Sequence, residues 1–350
     1  MPAARLLVVT AVAALLAVTA TAQKKQVTLT DADRIAVTTA KAGVIHPLPT
    51  NTNVSASYGK ETASKRAQTG PVITPFPKKP RYPADLTYQG GVTVGQAQFH
   101  AIYLLNSFTG TTGCTPSTIG SCWGDPEGFL QDLGKSDFIH VADQYVGQYE
   151  SNRYTNGADA IAVFNPLPPK LTDADVQALV HAVAFDLGYP TGYGNIYHVF
   201  LPPGTDECFD STFSTCYSPD DPNTFSFCAY HSSVTFTDVG HVLYTVQPYQ
   251  NVPGCNAPPD SPNGQLADST YSVLSHETFE AITDPDGTAW WNTDSDILFG
   301  SEIGDECSFI IFYPTAVYFN PSVWRVGKME YATQPEYSNE GHSCTTSTDM

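Results

Sequence analysis

An α/β fold, a sheet with helices packed on it, is predicted for residues 88–350 by three observations. Strand-like and helix-like segments alternate, the β-branched runs are bounded by Gly, Asn or Pro, and one helix carries signals at both of its ends. An α+β arrangement is the alternative. Composition agrees, since 41% of the 350 residues are hydrophobic and 15% charged, enough to bury a core. With 26 Gly and 27 Pro and no three-residue period, the chain reads as loop-rich and globular rather than collagenous.

In chain order, strands are expected from Ala97 to Leu105 and from Ala158 to Phe164. Thr172 then caps a helix in which Val176, Leu179, Val180, Val183 and Leu187 recur at helical spacing, and Gly188 ends it. Further strands follow from Ile196 to Leu201 and from Val242 to Val246. A second helix starts at Asp268 or Ser269, presents Tyr271, Leu274 and Ala281 on an apolar face, and stops at Asp284, whose helical angles Pro285 disfavours.

Two segments precede this domain. Residues 1–22 read as a signal peptide: Arg5, an apolar run from Leu6 to Val18 too short for a bilayer, and the small-x-small end Ala20-Thr21-Ala22. The expected location is therefore extracellular, periplasmic or in the cell wall. Residues 23–87 are rich in Pro, Thr and Ser and are expected to be a mostly irregular linker or pro-segment. From residue 23 through residue 90 there are ten basic residues against four acidic ones, and beyond it five against 31. The basic segment could thus dock on the acidic domain and be cut near Lys78-Lys79-Pro80-Arg81. The formal charge of -19 disfavours nucleic acid and anionic membrane surfaces as partners.

Eight cysteines without a CxxC spacing indicate disulfides in an oxidising compartment. Of the 105 pairings open to eight cysteines, nearest neighbours are expected: Cys114 with Cys122, Cys208 with Cys216, Cys228 with Cys255, and Cys307 with Cys344.

The chemistry is concentrated in the second helix. His276 and Glu280 are four apart and share a face, the spacing by which two side chains grip one metal ion. Glu277 follows the histidine where a zincin helix carries the glutamate that takes a proton from the attacking water. Glu302 is the expected third ligand, and Asp305 would orient His276. This resembles the gluzincin pattern, with Glu280 standing where those peptidases have a second histidine. The harder donor set admits manganese, iron or calcium besides zinc. Asp286 is an alternative third ligand on a metzincin-like spacing, and Asp206, Glu207, Asp210, Asp220 and Asp221 form an acidic stretch that could hold calcium or simply be solvated.

Several stretches resemble the phosphate-induced, Exordium-like family and its secreted bacterial relatives. They are Cys228-Ala229-Tyr230-His231-Ser232, Leu243 to Tyr249, Ser275 to Pro285, Trp290, and Glu302-Ile303-Gly304-Asp305-Glu306-Cys307. The resemblance implies a secreted or wall-associated protein. His231, beside Cys228, is a candidate hydrogen-bond donor to an oxyanion.

The expected function is a secreted metal-dependent hydrolase acting on peptide or cell-wall material, with a zincin-like sheet, His276, Glu280 and Glu302 as ligands and Glu277 as base. The rival is a non-enzymatic wall or signalling protein with a structural metal site, in which Trp290 and Trp291 stack on sugars. A third reading pairs Glu302 with Asp305 or Glu306 as a glycosidase acid and base.

Overall fold

Nine strands pair into one mixed sheet: β1 (Lys25–Thr28), β2 (Lys41–Ala42), β3 (His46–Pro49), β4 (Ala97–Asn106), β5 (Tyr154–Asn156), β6 (Ala160–Phe164), β7 (Asn195–Phe200), β8 (Phe227–Phe236) and β9 (Gly240–Gln247). The computed structural model describes residues 24–50, 85–106, 114–164, 167–294, 298–308 and 322–348. The expected signal peptide and the Lys78-Lys79-Pro80-Arg81 stretch lie outside them. The sheet order is β1-β6-β4-β7-β9-β8-β2, with β3 also on β8 and β5 also on β4. From β1 to β9 the neighbours are parallel, whereas β8 runs antiparallel to β9, β2 and β3.

Both faces of the parallel part are covered, as crossover helices require. Alternate residues of β4 divide between the two layers. Phe99, Ala101, Tyr103 and Leu105 pack with α2 (Pro126–Leu133) and α4 (Gln265–Thr283). Ile102 and Leu104 pack with α3 (Asp173–Leu187) on the other side. The fold is therefore mixed α/β, and the four strands expected in this part are present within one or two residues at most ends. The strand β8 was not expected.

Local chemistry explains the helix ends. Thr172 and Asp175 form a reciprocal capping box at the start of α3, and Gly188 closes it in the left-handed conformation, φ 66°. The helix α4 begins at Gln265, three residues before the expected cap, with Gly264 as N-cap. Asp268 instead accepts from the Asn263 backbone and side chain, so it ties the preceding loop to the first turn. All four expected disulfides are formed: Cys114–Cys122, Cys208–Cys216, Cys228–Cys255 and Cys307–Cys344.

Residues 25–49 depart from the expected irregular linker. β1 extends the sheet beyond β6, α1 (Asp31–Thr39) follows, and β2 and β3 pair with β8. Pro47 and Pro49 are tolerated because β3 pairs on one side only. Thr30 and Asp33 make a second capping box at the start of α1.

His181 of α3 fastens this segment. Its Nδ1 is 2.9 Å from Asp33 and its Nε2 is 3.0 Å from Asp238, so both ring nitrogens donate and the ring is held as imidazolium. Burial alone would lower its pKa, but the bonds to Asp238 and Asp33 outweigh this and raise it. A raised histidine pKa contributes stability that is complete below the unfolded value, about 6.5, and is lost as pH rises through the folded value. Melting temperature is expected to fall from pH 6 to pH 9 by more in the native chain than in His181→Gln. Equal falls in the two proteins would remove His181 as the cause.

Candidate metal centre

The helix α4 passes through the interior, and every residue from Ala267 to Thr283 on it is buried. Its serines and threonines are accommodated by bonding back to helix carbonyls, as Thr278 does to Leu274 and Thr283 to Phe279. An exposed helix with a solvated His-Glu pair is thereby excluded. His276, Glu277 and Glu280 are each no more than 1% exposed and lie in the last two turns, at the negative end of the helix dipole. Carboxylates there need a cation or a proton.

Three groups of donor atoms form a chain through this region, each with its atoms within 4.8 Å of one another: His276 with Glu280 and Asp305, His231 with Glu277 and Glu280, and His46 with His231 and Glu302. Glu280 and His231 are the shared members. The Nε2 of His276 is 3.0 Å from Glu280 Oε1, and His231 Nδ1 is 3.4 Å from Glu280 Oε2 and 3.5 Å from Glu277 Oε2. The Nε2 of His231 is 3.6 Å from Glu302 Oε2, whose Oε1 is 2.9 Å from His46 Nδ1.

These atoms are close without being aligned for hydrogen bonding. His231 Nδ1, His276 Nε2 and both oxygens of Glu277 and of Glu302 are buried and have no hydrogen-bond partner. Buried polar atoms are nearly always paired, so a convergent set of orphans points to something held between them. The donor chemistry, imidazole with carboxylate, suits zinc or a harder divalent ion.

In the ion-free chain the charges adjust to one another. Burial opposes the charged form of His276 and His231, but Glu280 and Glu277 raise both imidazoles to about 10. Burial raises Glu277 to about 7. Burial would raise Glu280 too, yet His276 and His231 hold it below the usual carboxylate range. Burial and the repulsion of Glu280 push Glu302 well upward. His46 is lowered to about 3 by burial and by His231, on which it stacks with ring centroids 4.9 Å apart.

Three expected positions change. Glu302 joins His46 and His231, and the carboxylate grouped with His276 and Glu280 is Asp305. The neighbour of His276 Nδ1 is Gln334, whose Nε2 lies 2.9 Å away and also donates to the Gly304 carbonyl at 2.7 Å. Gly304 is required here, because a Cβ would run into the His276 ring. Asp286 accepts from Tyr193 Oη at 2.5 Å and lies 3.2 Å from His241. It belongs to none of the three donor groups among the described residues.

The acidic stretch is likewise occupied otherwise. Glu207 accepts from Tyr230 in the core, Asp206 pairs with Lys170, and Asp210 and Asp221 accept from Thr212 and Asn223 in local turns. Among the described residues, none of these acids is in a three-donor group. Glu306 is engaged by Asn292 Nδ2 at 2.5 Å. Trp290 is partly buried, with its indole N–H on the Tyr145 carbonyl.

His46 and Gln334 went unrecognised in the sequence. His46 reaches the centre because β3 pairs with β8 in a register that sets His46 opposite His231. No local spacing announces that. No protein-family model, curated protein or solved structure matches the chain.

Proposed function

We propose that this chain is a secreted metal-dependent hydrolase of metallopeptidase type, related to the Exordium-like proteins. The observation that carries the reading is the set of buried imidazole and carboxylate atoms that converge without hydrogen-bonding one another. A divalent ion there supplies Lewis acidity toward a carbonyl oxygen and acidifies water. The residues of the chain would hold the ion, exclude bulk water and furnish a buried glutamate to accept a proton. His46, with 21% of its side chain exposed, and the partly buried Asp305 are where the donor groups meet solvent, so substrate would approach at one of these two ends.

Four disulfides suit an oxidising compartment, and among the described residues no helix is long and apolar enough to cross a membrane. The enclosure of the centre favours one rival, a structural ion in a non-enzymatic wall protein, since structural sites are closed and catalytic ones keep an open position. Metal analysis of the secreted protein, followed by incubation with a peptide library, separates them. Bound metal with cleavage that a chelator abolishes supports the hydrolase. Bound metal with no cleavage, together with retention on insoluble polysaccharide, supports the rival, and no bound metal after reconstitution removes both.

A further inference from the structure

The donor groups differ in one respect that decides where an ion can sit: the position of the proton on each imidazole. A histidine ligand offers a bare nitrogen to the metal while its other ring N–H donates to an acceptor. His231 is arranged in this way. Its Nε2 lies 3.2 Å from the Asp284 carbonyl, which can only accept, so Nε2 keeps its proton and the orphaned Nδ1, facing Glu277 and Glu280, is the nitrogen left to bind an ion in exchange for a proton.

The other two groups fail this requirement. The group of His46, His231 and Glu302 would use His231 Nε2, which is committed to Asp284. In the group of His276, Glu280 and Asp305, His276 Nδ1 faces the Gln334 amide nitrogen, which donates. Turning that amide over would put its oxygen against the Gly304 carbonyl that now accepts from it. The His276 proton therefore belongs on Nε2, the atom an ion would need.

Distances agree. Zinc bonds of 2.0–2.1 Å at tetrahedral angles place ligand atoms about 3.3 Å apart. The separations from His231 Nδ1 are 3.4 Å to Glu280 and 3.5 Å to Glu277. A charge-assisted hydrogen bond would close to about 2.7–2.9 Å.

We infer that the ion is held by His231 Nδ1, Glu277 and Glu280, with His276 beside it as a neighbour of Glu280 and not a donor. The assignment rests on the metal-dependent reading above and reverses two roles that the helix motif suggests. Glu277 becomes a ligand instead of the base, and His276 leaves the ligand set. Glu302, next to the His46 edge, is then the glutamate of the cluster that stands outside the ion's donors.

Metal content of the full chain reconstituted with zinc tests this. The native protein is expected to retain one equivalent, His276→Gln to retain it, and Glu277→Gln and His231→Ala to lose it, with circular dichroism verifying that each variant is folded. A second measurement needs no variant: in the cadmium-113 form with nitrogen-15 histidine, coupling is expected at an imidazole Nδ1. Coupling at Nε2, or an equivalent kept by Glu277→Gln and lost by His276→Gln, overturns the assignment while leaving a metal centre in place. An absence of metal from the native protein overturns the function reading as well.

Discussion

Replacing Glu280 with alanine is expected to abolish metal binding and to lower stability by about 3–5 kcal/mol, the range for removing one partner of a buried charged set. Glu280 is, with His231, one of the two residues shared between the donor groups. One oxygen is 3.0 Å from His276 and accepts the Asp305 N–H at 3.3 Å, and the other is 3.4 Å from His231. Without it, His231 and His276 each lose the carboxylate oxygen that lies nearest to them. Glu280→Gln keeps the shape and removes the charge, so it should lose the metal at a smaller cost in stability. Urea unfolding of both variants, read beside their zinc content, checks this. A Glu280→Ala protein as stable as the native one, with zinc still bound, would sink the central role of this residue.

The second large effect is expected from deleting residues 24–50. That segment supplies β1 along the outer edge of β6 and two strands on β8, so its removal bares two strand edges. The sequence of β6 is Ala-Ile-Ala-Val-Phe and is buried throughout, a composition that pairs with other chains when its edge is open. Val27 and Leu48 are also lost from the core, each worth about 1.5–3 kcal/mol when fully buried. Size-exclusion chromatography should show aggregation, whereas His46→Ala should remain monomeric and folded. A monomeric, cooperatively unfolding deletion protein would mean that the segment is an ornament on a self-sufficient sheet.

Strands β4, β6, β7 and β9 were legible because parallel strands covered on both faces read as continuous β-branched and aromatic runs, and such runs are local. β8 was not, because its ten residues, FCAYHSSVTF, interleave a cysteine, a histidine and two serines that are buried for chemistry and bonding rather than for hydrophobicity. The N-terminal strands were hidden by charge and proline, although Thr30 and Asp33 spelled a capping box as plainly as Thr172 and Asp175 did.

The site divides along the same line. His276, Glu277 and Glu280 were readable because three- and four-residue spacing on a helix fixes who shares a face. His231 was picked out beside Cys228, but its place next to Glu277, Glu280 and His46 depends on which strand lies beside which, and Gln334 is brought in from beyond the sheet by bonds to Ser272 and Gly304. The exchange between Glu302 and Asp305 shows the limit: the EIGD motif was visible, but which carboxylate faced which imidazole was set by a turn of a few residues.

The buried passage of α4 has a consequence for when the centre is made. The donors inferred for it stand at positions 231, 277 and 280, and the other groups that could hold an ion draw on residues from 46 to 305, so an unfolded chain offers no local cage. Assembly of the centre must wait until the sheet is complete and the helix has been enclosed. A chain that crosses a membrane unfolded would therefore arrive empty and acquire its ion only after folding outside. Which element it carries would then reflect the supply and competition of that environment as much as the preference of the ligands.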